Sequence, residues 1–194
     1  MKTMIIILVT AFTFQSTLRA ENTITAYKTD LQAGSIIFPG NTPVPEAFKK
    51  QLSLVVDAYI LLKDAFAADQ ESKATQAAKS TLDALKKVEM GLIRGEDHIL
   101  WMNQYRAIMT NLNMIIDMPG LDMKRSHFSV VSENMTEAVK SFGIVSDKPV
   151  YLEFCPMAND NKGGYWLSND KAIRNPYLGG KMPACGKVTE TLNQ

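Results

Sequence analysis

The sequence predicts a mainly α fold, an up-down four-helix bundle carrying a small C-terminal β/loop appendage (α+β). Three observations predict it. Between residues 46 and 143, four segments each repeat apolar residues at alternating steps of three and four. The joints between them are short and rich in helix breakers. After Pro149 the apolar period drops from helical spacing to alternation, as in a strand.

The chain opens with Lys2, an apolar run from Met4 to Phe14, and Leu18-Arg19-Ala20 before Glu21. That order reads as a secretory signal peptide over about residues 1–20. The run is shorter than the roughly 20 residues a membrane span takes. A periplasmic or secreted location is therefore expected. Residues 21–45 show no helical period, and Pro39, Gly40, Pro43 and Pro45 interrupt them repeatedly, so an irregular leader is expected.

The first helix carries Phe48, Leu52, Val55, Tyr59, Leu62 and Phe66, with Pro45 near its start. Asp69 is placed to cap the second, whose stripe is Ala74, Ala78, Leu82, Leu85 and Val88. Gly91 and Gly95 bracket the next joint. Trp101, Tyr105, Ile108, Leu112 and Ile115 form the third stripe, which ends at Pro119-Gly120. Asp122 is placed to cap the fourth helix, with Phe128, Val131, Met135, Ala138 and Phe142 inward and Gly143 closing it. Residues 144–194 follow as the β/loop segment, expected to pack on the bundle (46–143) as one domain. Strands are expected through Val150–Cys155, through Tyr165-Trp166-Leu167 after the Gly163-Gly164 turn, and near Gly186–Glu190.

Composition excludes some partners. Apolar residues make up 46% of 194, enough for a true core. Twenty-one basic residues against twenty acidic ones leave a formal charge of +1. That balance gives no electrostatic pull toward nucleic acid or an anionic membrane.

The chemistry concentrates between Lys148 and Lys187. This stretch holds both cysteines, Cys155 and Cys185, each with a methionine close by: Cys155-Pro156-Met157 and Met182-Pro183-Ala184-Cys185. Thiolate and thioether are soft donors that suit Cu(I) or Ag(I), whereas methionine is not a usual zinc ligand. The four sulfurs of Cys155, Met157, Met182 and Cys185 are thus a candidate soft-metal set. In the alternative, Cys155 and Cys185 form a disulfide, the default for an even cysteine count outside the cytoplasm. Closing a loop of about 30 residues would stabilise the fold by roughly 3–4 kcal/mol, with the methionines as gap-fillers. The two readings can coexist if metal binds only the reduced pair.

His127 is a further candidate ligand. The fourth helix rises about 22 Å from His127 to Phe142, and a strand through Cys155 can travel that far back. The competing reading is a partly exposed helix histidine. His98, at the other end of an antiparallel pair, is excluded. Of the remaining methionines, Met102 and Met109 fit core packing, while Met118 and Met123 flank a turn as potentially exposed donors. Trp166 fits a buried support for the β segment. Catalysis is not expected: no G-x-S-x-G, H-E-x-x-H, P-loop or G-x-G-x-x-G occurs, and no third group is identifiable to orient a Cys/His pair.

Cys155-Pro156-Met157-Ala158, Trp166-Leu167-Ser168, Ile173-x-Asn175-Pro176-Tyr177-x-Gly179 and Met182-x-x-Cys185-Gly186 resemble an exported bacterial domain of unknown function. That domain occurs alone or at the C-terminus of periplasmic adaptor subunits of copper/silver efflux pumps. Tyr59–Ala65 and Arg125-x-x-Phe128 with Val131-Ser132 extend the resemblance into the bundle, over roughly residues 46–190. The resemblance implies heavy-metal handling, with efflux adaptor or pump components as partners; it implies no reaction. The expected function is an exported Cu(I)/Ag(I)-binding module. The alternative is a non-catalytic interaction domain closed by a Cys155–Cys185 disulfide.

Overall fold

The structure, a computed structural model, describes residues 43–192. The expected signal peptide and the leader as far as residue 42 lie outside the described residues. Four long helices come first: α1 (Glu46–Ala67), α2 (Glu71–Lys86), α3 (Gly95–Asp117) and α4 (Leu121–Phe142). Each packs on the next with short joints, the up-down arrangement the stripes predict. Every residue of the first, second and fourth stripes is buried, and only Tyr105 of the third is partly exposed.

Aromatic rings fill the two ends of the bundle differently. At one end Phe48 meets Trp101 and Phe142 edge to face, at 5.2 and 5.3 Å between ring centres. At the other, Phe128 packs on Phe66 and Tyr59, and its further contact, Tyr177, comes from the C-terminal segment. The appendage thus contributes a side chain to the bundle core.

Neither expected aspartate cap forms. The residue before α2 is Gln70, and no side chain caps that helix. Asp69 takes a left-handed backbone (φ 56°) and turns its carboxylate elsewhere, as described below. Gly120 precedes α4, so Asp122 falls inside its first turn, where its charge suits the helix dipole without capping. Local sequence favoured a cap at both aspartates, and tertiary partners claimed one of them.

The appendage is a three-stranded antiparallel sheet in the order β2-β1-β3, with β1 (Tyr151–Cys155), β2 (Gly164–Ser168) and β3 (Lys187–Thr191). β2 lies over the seam between α1 and α4. Between β1 and β2 the chain makes one left-handed turn, with Asn159, Asp160 and Asn161 all at positive φ. Asn and Asp tolerate that region better than other residues bearing a Cβ. The Asn159 side chain secures the turn by donating to Gly163 O and to Ser129 Oγ on α4. From Asn169 to Gly186 the chain is mostly irregular and folds across the face of the sheet that carries Trp166. Trp166 is fully buried there, as its expected supporting role requires. No described helix is long and apolar enough to cross a membrane.

Candidate functional site

Strand pleating puts Tyr151, Glu153 and Cys155 on one face of β1, opposite Ser168, Trp166 and Gly164 of β2. Cys155 ends β1 and is fully buried. Gly164 faces it because a side chain there would strike the Tyr177 ring and Ala158. Cys185 arrives from the opposite direction, at the end of the irregular segment, and stays partly exposed.

One side chain governs that arrival. Asn175, wholly buried, accepts from the N–H groups of Tyr177 and Leu178 and donates from Nδ2 to Cys185 O at 2.7 Å. Its own N–H reaches Pro183 O and its carbonyl accepts from Gly179. The Asn-Pro-Tyr sequence is therefore a knot that fixes Cys185 relative to Tyr177, which is itself packed on Trp166 and Phe128.

The result brings the two cysteines together across about 30 positions of sequence. The β1–β3 ladder sets Lys187 opposite Phe154, which brings Cys185 beside Cys155, and neither is in a disulfide. The Cys185 thiol is held above its ordinary range, chiefly by its interaction with the neighbouring Cys155 side chain, then by burial. The backbone at Met157 acts the other way. Met182 is tied to Cys185 by a tight turn, its carbonyl accepting from Cys185 N. Both methionine side chains are open to solvent, 44% for Met157 and 39% for Met182. Two neighbouring thiols, each with an exposed methionine close by in sequence, can give up their protons to solvent on binding a soft cation, or electrons to an oxidant.

The structure does not bring His127 to this pair. The level along α4 is as expected, because Asn159 meets Ser129 and Tyr177 meets Phe128. The ring, however, points to α3, where Nδ1 pairs with Asn111 Oδ1 at 2.8 Å. Among the described residues, no three of His, Cys, Asp and Glu gather where they could hold a metal ion. Any metal here would rest on the sulfurs. Of the turn methionines, Met123 is exposed and Met118 only partly.

Two supporting clusters were not singled out by sequence reasoning. Arg125, buried on α4, donates from Nε to Pro176 O and from Nη2 to Phe66 O, and pairs with Asp69. Asp69 in turn accepts from Gly180 N, and Arg125 holds its carboxyl below the usual range. Gly179, at φ 52°, is required here, because a Cβ would collide with Asp69 and Arg125. Arg125 therefore ties α1, α4 and the cysteine-bearing segment into one joint. The second cluster is Lys63 and Glu153. Lys63, 2% exposed, donates to Asp64 and, at 3.5 Å, to Ser168. Both Glu153 oxygens are buried without a hydrogen-bond partner, and the Trp166 indole N–H faces them without closing one. Burial pushes the Glu153 carboxyl up to about 7, against the pull of Lys63. An arginine three residues before a helix aromatic, and a glutamate in an otherwise apolar strand, were the signals available.

The profile of a family described as a protein of unknown function (DUF3347) matches residues 55–147. The chain is similar to that family from the third turn of α1 to just past α4. The match takes in Arg125 and stops short of both cysteines. No curated protein matches the chain, and no solved structure matches it.

Proposed function

We propose that this protein is an exported soft-metal-binding module that holds Cu(I) or Ag(I) on Cys155 and Cys185, with Met157 and Met182 as additional donors. One observation carries the reading: two cysteines distant in sequence are brought side by side by the β1–β3 ladder, each with an exposed methionine two or three residues away. The donor set is all sulfur, which suits a monovalent soft cation and not zinc or a hard ion. A site with one buried and one accessible thiol suits taking up and releasing a cargo ion. The reading is of binding, with no reaction assigned. Work in copper handling outside the cytoplasm, alongside heavy-metal efflux adaptor or pump components, belongs to the same proposal. It draws on the signal-like N-terminus and on the resemblance of the motifs.

The test is competition for Cu(I) against a chromophoric chelator, using protein with both thiols reduced. About one Cu(I) per monomer is expected, lost when both cysteines are replaced in a Cys155→Ser/Cys185→Ser protein and weakened by Met157→Leu or Met182→Leu. Failure of the fully reduced protein to compete for Cu(I) overturns the reading. The same placement of the cysteines favours a second reading, a structural disulfide. In that case protein isolated without reductant has no titratable thiol, and reduction lowers its melting temperature without changing its affinity for metal.

A further inference from the structure

We infer that Cys185 is a thiol–disulfide exchange site, the sulfur through which a low-molecular-weight disulfide oxidises the pair, and that Cys155 is the resolving thiol. Two independent observations carry it. The first is proximity: the β1–β3 ladder sets Lys187 opposite Phe154, so Cys185 lies beside Cys155 and a group placed on one sulfur is near the other. The second is unequal access. Cys155 is wholly buried at the end of the central strand, behind Gly164, Ala158 and Tyr177. Cys185 is partly exposed, and it follows Lys181, Met182, Pro183 and Ala184, all open to solvent. On the other side Pro156 and Met157 are exposed too. A disulfide of ordinary size can meet Cys185 between these two lips, whereas reaching Cys155 first would require displacing the sheet.

The chemistry balances in two steps. Cys185 gives its proton to solvent, and its thiolate attacks the disulfide RS–SR. A Cys185–SR bond forms, the RS–SR bond breaks, and RS⁻ leaves and takes up a proton. Cys155 then gives its proton to solvent, and its thiolate attacks the Cys185 sulfur. The Cys155–Cys185 bond forms, the Cys185–SR bond breaks, and a second RS⁻ leaves and takes up a proton. Two protein thiols are oxidised and one disulfide is reduced to two thiols. The inference uses the pair of the proposed metal site but not the metal. If that site is real, the exchange withdraws both thiolates from the cation.

The experiment treats the reduced full-length protein with oxidised glutathione, quenches with acid at short times, and maps adducts by mass spectrometry of peptides. In the native protein the first adduct is expected on Cys185, decaying into the internal disulfide with release of two glutathione thiols per chain. In Cys155→Ser the Cys185 adduct should accumulate, while folded Cys185→Ser should be modified at Cys155 about tenfold more slowly. A first adduct on Cys155 in the native protein, or equal rates in the two variants, overturns the inference. The native-protein arm stands even if a variant fails to fold. Failure here leaves Cu(I) competition untouched, and failure of Cu(I) binding leaves the exchange order untouched.

Discussion

The two ends of this molecule are held together by different forces. The end containing Phe48, Trp101 and Phe142 is closed mainly by ring packing, with the Trp101 indole N–H donating to Met90 Sδ. The end containing Arg125, Asp69 and the Asn175 knot is closed largely by hydrogen bonds from side chains to backbone carbonyls and N–H groups. Ring packing is tolerant, since a close substitute of similar volume can slide and refill. A buried polar knot is not, because losing one partner leaves several groups unpaired. The cysteines sit at the second end. Their separation is therefore set by the less forgiving kind of contact, as a site needing fixed sulfur positions requires.

The largest effect that would test this contrast is Arg125→Ala. It takes the side-chain donor from the Pro176 carbonyl and one of two donors from Phe66 O, and leaves Asp69 without its charge partner. A loss of about 4 kcal/mol is expected, read as a lower urea midpoint, together with faster labelling of Cys185 by a thiol reagent. Phe48→Leu, at the other end, should leave the labelling rate unchanged. If both substitutions change thiol labelling alike, the two ends are not mechanically distinct.

The same contrast explains what could be read from the sequence. The bundle was legible because its information is one-dimensional: Phe48 to Phe66 and Phe128 to Phe142 repeat on a single face, and that repeat is the core. The strands were legible from alternation and from Gly163-Gly164. The placement of Cys185 beside Cys155 was legible only as an option, because spacing does not say where an irregular segment turns. Asn175 decides that, and an asparagine before a proline looks like any turn residue until its five partners are known. Asp69 misled for a related reason. It has the residue type of a cap, but Arg125 and Gly180 N offered it stronger partners from other parts of the chain. His127 reached the right level and the wrong side, since a helix position fixes height and not which neighbour the ring prefers.

A middle-sized effect concerns Glu153, where the polar end carries a group without hydrogen-bond partners. Its carboxyl is raised to about 7 from 4.5 by burial. The folded state therefore binds the proton more tightly than the unfolded chain. The stability this group contributes is fully present below its unfolded value, falls as pH rises toward about 7, and is flat beyond. Up to about 3 kcal/mol should be lost across that window. Glu153→Gln should abolish most of the slope in urea midpoints measured from pH 5 to pH 7.5. A native protein that grows more stable over this range would show that Lys63 compensates the carboxylate fully, and that this end is as well satisfied as the other.

The smallest expected effect separates buried knots from surface charge. Lys140 on α4 meets Glu190 on β3 at 2.7 Å, both side chains well exposed. This pair links the outer strand to the bundle, so it is the natural rival to Arg125 as the tie holding the appendage in place. Exposed pairs of this kind contribute only about 0.2–1 kcal/mol, because water already solvates both charges and salt screens them. β3 has other ties that do not depend on charge: its ladder with β1, Thr189 Oγ1 donating to Leu152 O, and Leu192 N donating to Val150 O. Lys140→Ala should therefore shift the urea midpoint by no more than a surface control and leave Cys185 labelling unchanged. Added salt should not change either result. A shift comparable to that of Arg125→Ala would mean that the sheet is held on the bundle from its outer edge, and that the sulfur positions are set by charge rather than by the buried knot.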